Sequence, residues 1–335
     1  MTTYAFELSG EHETLPRSEA LALVEAFSER SSEAAFFDQC LIVQAEGLDV
    51  QTLGRRLAMT HRIIEVMAVC QADLPALAGA AEMLDLSARS YMVRARRIKN
   101  SSPGADEVER EIGRVLLGRG LQADLSRPEV VLRAVITGGK IVIGREAART
   151  DRSSFEARRP HLKPFFHPGV LMPRMARALV NLTGVRAGRT ILDPFAGTCG
   201  ILIEACLIGV KGLGIEVQTN LVKGARCNLQ GVDCSLLLGD AKRLPLQDSS
   251  VDAAVLDTPY GRSAKILAKS KDLLLQESLD ELHRVIKPEG RMAIVADRPL
   301  DSLLQSSGFE ILQQHTDRVH RSLVRHIFLC SRDKR

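Results

Sequence analysis

The chain has 335 residues, a length that suggests roughly two domains at about 150 residues each. Hydrophobic residues make up 45% and charged residues 26%, enough apolar material for packed cores and too much for a disordered chain. The formal charge of +4 says little by itself. No apolar run reaches the length of a membrane-spanning helix, and Met1–Glu13 carries acids without a basic leader, so a cytoplasmic location is expected.

Seven cysteines stand at 40, 70, 199, 206, 227, 234 and 330. The count is odd and no Cys-x-x-Cys occurs, which argues against a disulfide framework or a zinc knuckle. No metal is expected.

In chain order, Tyr4–Ser9 alternates like a strand and Ser18–Ser28 has helical spacing. Ala35–Ala45 reads as extended, Val50–Met59 as a strand, and Ile63–Ala68 as strand or helix. Ser90–Ile98 alternates apolar and basic residues. After a break at Asn100–Gly104, Glu107–Leu117 is helical, and Val130–Ile136 with Lys140–Ile143 forms a hairpin around Gly138-Gly139. Arg145–Pro164 carries five arginines and two prolines and reads as a linker. A helix follows over Arg174–Leu182. From Thr190 strands and helices alternate: strands at Thr190–Pro194, Gly212–Val217, Ser235–Leu238, Ala253–Asp257 and Met292–Ala296, with helices near Ile201–Leu207, Thr219–Gln230, Asp272–Val285 and Leu300–Ser307. Such βα repetition predicts an open, mostly parallel sheet with helices on both faces. Two late strands, near Ile311–Gln314 and Ser322–Cys330, lack a helix between them and should form an antiparallel hairpin at one edge.

Ile191 to Gly200 is a strand, a glycine-bearing turn and a helix start. It lacks both the Gly-Lys-Ser/Thr of a phosphate loop and the Gly-x-Gly-x-x-Gly of a dinucleotide site. Asp193 would repel a phosphate but can face the aminoacyl end of S-adenosylmethionine. Glu216 ends the next strand, about 20 residues past the loop, where such folds hold ribose hydroxyls. Asp240, followed by Ala241, ends the third strand and could accept from an adenine amino group, or cap a helix. S-adenosylmethionine is therefore the expected cofactor.

Asp257-Thr258-Pro259-Tyr260-Gly261 follows an apolar strand. Alone it could be an ordinary turn. Its order after the glycine loop and the two strand-end acids gives it chemistry. An exocyclic amine on a nucleobase is a poor nucleophile, because its lone pair is delocalised into the ring. The Asp257 carboxylate and the Thr258 carbonyl can hold its two N–H groups, Pro259 shapes the turn, and Tyr260 offers a flat face to the base.

These segments together resemble THUMP-domain tRNA methyltransferases, in particular the archaeal family that modifies N2 of the guanine at tRNA position 10. The resemblance covers nearly the whole chain. Leu8–Pro16 looks like that family's opening, Tyr91–Ile98 and Arg110–Ile143 like a THUMP module, and Arg159–Gly169 like the segment that enters the methyltransferase domain. Asp193–Gly200 and Asp257–Arg262 match the cofactor loop and the Asp-Pro-Pro-Tyr-Gly-Arg segment. Cys199 stands where the family usually has Gly, and Thr258 where it usually has Pro. The resemblance implies an α/β protein with an N-terminal ferredoxin-like and THUMP region over 1–144, a linker over 145–165, and a Rossmann-like class I methyltransferase domain over 166–335. It implies that His167, Pro168, Asp193, Phe195, Gly197, Thr198, Gly200, Glu216, Asp240 and Ala241 frame the cofactor, and that Asp257, Thr258, Pro259 and Tyr260 are catalytic. tRNA is the implied partner, and the need for a small activating partner protein is left open.

Arg94, Arg96, Arg97 and Lys99 cluster, and Arg158 and Arg159 stand in the linker. Such groups can neutralise phosphates, although nearby acids could equally make them a solvated face. Aromatic residues are scarce, at 4%, which favours reading folded RNA by shape over stacking on single strands. An amino-methyltransferase acting on DNA or ribosomal RNA, a non-catalytic RNA-binding protein with a degenerate methyltransferase fold, and a nicotinamide oxidoreductase remain alternatives.

Overall fold

A computed structural model describes residues 1–259, 271–320 and 323–333. The chain divides into two compact units, Met1–Thr150 and Asp151–Arg335.

The first unit contains β1 (Thr2–Leu8), α1 (Leu15–Phe27), β2 (Arg30–Phe37), β3 (Cys40–Glu46), α2 (Val50–Arg56), β4 (Thr60–Gln71), α3 (Leu74–Glu82), β5 (Ser90–Arg97), α4 (Ala105–Gly118), β6 (Gln122–Ala123), β7 (Val130–Thr137) and β8 (Lys140–Arg149). The strands form one sheet in the order β2-β3-β1-β4-β8-β7-β5-β6. Period-two burial is plain in the register: Phe6 packs with Leu41 and Ile63, while Ala5 packs with Ile42 and Ile64 in a separate cluster.

Three elements differ from the sequence reading. Val50–Met59 is not a strand: Asp49 accepts from the Thr52 backbone N–H at 3.0 Å and starts a helix instead. Capping of this kind outweighs the weak strand pattern of so short a segment. Asp73 likewise caps α3, accepting from Ala76 N at 2.7 Å. Ala35–Ala45 is a hairpin, turning at Asp38 with a φ of +46°. At the first unit's end, β8 stays paired with β4 as far as Arg149. Residues 145–149 therefore belong to the sheet, and the irregular stretch begins only at 150.

The second unit contains α5 (Pro173–Leu182), β9 (Thr190–Asp193), α6 (Gly200–Cys206), β10 (Lys211–Glu216), α7 (Thr219–Asn228), β11 (Cys234–Leu238), β12 (Val251–Asp257), α8 (Lys271–Val285), β13 (Ile286–Ala296), α9 (Asp301–Ser306), β14 (Phe309–His320) and β15 (Leu323–Arg332). Its sheet runs β11-β10-β9-β12-β13-β15-β14. The first five are parallel, and β15 is antiparallel to both neighbours. The alternating βα pattern and the final hairpin are as the sequence predicts. The core joins Leu192, Ile215, Leu256 and Ile294 of the sheet to Leu279 and Leu282 of α8, all fully buried. Each such side chain contributes about 1.5–3 kcal/mol on leaving water, so the strand ends stand on a rigid base. No helix among the described residues is long and apolar enough to cross a membrane.

Candidate active site

The chain travels from β9 outward to β10 and β11, then crosses back to β12 and β13 on the other side of β9. That reversal opens a crevice outside the carboxyl ends of β9 and β12. The polar residues singled out in the sequence gather there. Asp193 ends β9, Glu216 ends β10 and Asp257 ends β12.

Asp193 is only 2% exposed, and its Oδ1 accepts from Phe195 N at 3.0 Å. Burial pushes its pKa up to about 8. The Phe195 hydrogen bond acts the other way, and the neighbouring charges of Asp257 and Glu216 add to the rise. A carboxyl poised in this way is unsuited to a phosphate and well suited to a cationic ligand, whose charge would favour the ionised form.

Glu216 is held by two backbone donors, Gly197 N at 2.9 Å and Gln218 N at 2.8 Å. It thereby ties the glycine loop to the end of β10 and orients its carboxylate in the crevice. Gly197 has a φ of +50°, a region that glycine reaches without penalty. Cys199 also lies in the left-handed region, at φ +62° and ψ +27°. There a side chain costs about 1–2 kcal/mol, which gives a backbone reason for glycine at this position in the resembling family. The thiol itself is fully buried, and that burial raises its pKa.

Asp240 does not cap a helix. Its Oδ1 accepts from Lys242 N at 3.0 Å within a turn, and its side chain stays 44% exposed. Ala241 next to it is buried. His167 sits with Nδ1 2.9 Å from the carbonyl of its neighbour Pro168.

Asn228, unremarked in the sequence, is the clasp of this region. Its amide accepts from Phe165 N at 3.0 Å and donates to Phe165 O at 3.0 Å and to Thr198 O at 3.2 Å. A Cβ on Gly224 would lie 2.4 Å from the Phe165 ring, so that glycine exists to let the ring dock. Phe165 is thus an anchor, and Phe166 stays half-exposed. No local pattern announces an asparagine that bridges segments over 60 residues apart.

The cationic residues of the linker have inward tasks as well. Arg158 donates through Nε and Nη2 to the buried Glu204 at 2.7 and 3.2 Å, and Arg177 donates to the same carboxylate at 2.9 Å. Arg159 pairs with Glu156. Lys163 has its amine beside Gly200, and burial pulls its pKa below the ordinary lysine value. In the first unit, Arg96 and Arg133 converge on Glu7, which is 1% exposed, at 2.7 and 2.8 Å. Burial alone would raise the Glu7 carboxyl; the two guanidiniums more than offset it and hold it below its usual range. Lys99 pairs with Asp38 at 2.5 Å. Arg94 and Arg97 remain exposed.

The reactive segment leaves β12 with Thr258 N donating to Val295 O at 2.9 Å. Thr258 is buried and Pro259 half-buried. Tyr260, Gly261 and Arg262 lie outside the described residues.

The sheet order, the strand-end acids and the glycine loop define a class I methyltransferase. The family model for the RMKL-like, methyltransferase domain matches residues 160–327. The tRNA (guanine(10)-N2)-dimethyltransferase of Methanothermobacter thermautotrophicus is 36% identical over 97% of this chain and 98% of its own length. That of Methanocaldococcus jannaschii is 31% identical over 77% of this chain and 82% of its own. The crystal structure of TrmN from Thermus thermophilus shares the fold, with a TM-score of 0.54 and 23% identity over 98% of this chain and 99% of that one. The chain belongs to the tRNA (guanine(10)-N2)-dimethyltransferase family, and S-adenosylmethionine is its methyl donor.

The donor set fits that cofactor. Glu216 would take the ribose hydroxyls, Asp193 the cationic aminoacyl end, and the turn at Asp240 the adenine. Glu216→Ala should weaken S-adenosylhomocysteine binding by roughly 1–3 kcal/mol, the loss of a charge-assisted hydrogen bond. Calorimetry on the variant checks this, and an unchanged affinity would reassign the residue to holding the loop alone.

Proposed function

We propose that this enzyme methylates N2 of the guanine at position 10 of tRNA, adding one methyl group and then a second. The observation that carries the reading is the Asp257-Thr258-Pro259 segment at the end of β12, beside the Asp193 and Glu216 crevice, in a chain related over nearly its whole length to enzymes named for that reaction. The cofactor supplies an electrophilic methyl group on a positive sulfur. The protein supplies position and charge. Asp257 accepts one amino hydrogen and the Thr258 carbonyl the other, which turns the nitrogen lone pair out of conjugation and toward the methyl group. Positive charge that grows on nitrogen is stabilised by the Asp257 carboxylate. Tyr260, from its place in the motif, stacks on the base. Once the first methyl is on and the cationic nitrogen has released one of its two protons to solvent, one N–H remains for Asp257 to hold, so a second transfer uses the same geometry.

The N-terminal unit is the tRNA-binding part in this reading, and the enzyme works in the cytoplasm with its substrate. A transcript carrying inosine at position 10 keeps the ring and lacks only the amino group. It should accept no methyl there while the guanine transcript does. Equal methylation of both would remove N2 of this nucleotide as the target.

The exposed Arg94 and Arg97 are the test of the basic cluster, because Arg96 holds the buried Glu7. Arg94→Ala with Arg97→Ala should weaken tRNA binding and flatten the log–log salt dependence by about 1–2 units, one per lost phosphate contact. S-adenosylhomocysteine affinity should stay unchanged. An unaltered salt slope would make these arginines a solvated face.

A further inference from the structure

We propose that Asp297 is a specificity residue that recognises guanine by accepting a hydrogen bond from its N1–H. The inference rests on the guanine-N2 reading above and adds how the base is chosen. A cleft is lined by Phe195, Thr258, Pro259, Ala296, Asp297 and Leu300, among others. Its position follows from the sheet. The acids assigned to the cofactor stand on β9 and β10, on one side of β12. β13 lies on the other side, with Asp257 directly opposite Val295 and Thr258 N bonded to Val295 O. Asp297 comes two residues after Val295, so it follows the strand that runs beside the segment proposed to hold the reacting amine.

The walls of the cleft are mostly apolar: Phe195, Pro259, Leu275, Ala296 and Leu300. They suit the faces of a flat base and say nothing about which base. Among the described lining residues Asp297 is the one acid. Arg298, beside it, is paired with Asp272. Asp297 lines the cleft and is exposed.

The chemistry of guanine matches a carboxylate here. Its N1–H stands next to the N2 amino group, so the edge offers adjacent donors. Asp257 takes one from N2, and a second acceptor alongside takes N1–H. Adenine presents a lone pair at the ring nitrogen next to its amino group, and a carboxylate would repel it. A site that hydrogen-bonds a substrate N–H discriminates against an analogue that turns a lone pair toward the same acceptor.

2-Aminopurine, set against the Asp297 variants, tests this role. It keeps the amino group at position 2 but lacks O6, and its N1 bears a lone pair in place of the hydrogen. Two tRNA transcripts, with guanine or 2-aminopurine at the target position, would be compared by kcat/KM. The wild-type enzyme should prefer guanine by about 100-fold or more. Asp297→Ala should lose about 10- to 100-fold on guanine and little or nothing on 2-aminopurine, so the preference collapses. Asp297→Asn should fall between, since its amide oxygen still accepts. S-adenosylhomocysteine affinity in both variants should match the wild type, which shows that the fold and the cofactor site persist. A guanine preference that is unchanged in Asp297→Ala would overturn the proposal. A wild-type enzyme that methylates neither transcript would instead overturn the guanine-N2 reading, and this proposal with it.

Discussion

Asp257→Ala should cut the single-turnover rate of methyl transfer by about 100-fold or more, the loss of one electrostatic stabiliser worth about 3 kcal/mol. tRNA affinity should barely change. The carboxylate meets an amino group whose charge rises only as the new bond forms, so its interaction is stronger in the transition state than in the ground state. Asp257→Asn should be milder, because an amide oxygen accepts the same hydrogen without the full charge. Removing a carboxylate beside the buried Asp193 should also ease ionisation of Asp193, since the Asp257 charge is one of the causes of its raised pKa. Cofactor binding therefore should not suffer in the Asp257 variants. Rapid-quench assays on one tRNA transcript, with calorimetry on the cofactor, separate the two effects. Near-normal transfer by Asp257→Ala would remove the segment from the active site.

Asp193→Asn should weaken cofactor binding and, in the free enzyme, raise stability at alkaline pH. The sign follows from linkage. The folded pKa of Asp193 is raised to about 8 from its ordinary value of 3.8. Between those values the folded chain keeps a proton that the unfolded chain has lost. Stability from this group therefore falls as pH rises from about 4 to about 8, and levels off above. Asparagine is the same size and does not titrate, so the variant escapes that loss. The shift exceeds one unit, so at pH 9 the variant should be more stable by more than about 1.4 kcal/mol. Below pH 4 the two proteins should converge. Cofactor binding acts on the same equilibrium in the opposite sense. A cationic ligand beside Asp193 favours the carboxylate, so binding near neutral pH should release a proton. Losing that charge-assisted contact should weaken binding by about 1.5–3 kcal/mol. Denaturation across pH checks the first effect, and calorimetry in buffers of different ionisation enthalpy the second. A pH-independent difference in stability would mean that Asp193 is ionised in the folded state throughout.

Much of the catalytic unit was legible because its strands are short apolar runs ending in acids. Ile191–Asp193 and Val255–Asp257 announce both their burial and the point where the chain meets the ligand crevice. The final antiparallel hairpin was legible from a missing helix. Less was legible in the first unit, where Val50–Arg56 became a helix through one Asp49 cap that outweighs a mixed apolar pattern. The basic residues show why composition is a poor guide to surfaces. Arg96 and Arg158 read as RNA contacts, yet each serves a buried glutamate, Glu7 or Glu204, from a distant part of the chain. Spacing does not reveal such pairs. The left-handed backbone of Cys199 had one sign in the sequence, the glycine that the resembling family usually places there.

The most direct measurement is nucleoside mass spectrometry on an unmodified tRNA transcript incubated with the enzyme and isotope-labelled S-adenosylmethionine. Labelled N2-methylguanosine should appear early, N2,N2-dimethylguanosine later, and neither when the position-10 guanine is replaced. Label on any other nucleoside, or on none, would contradict it.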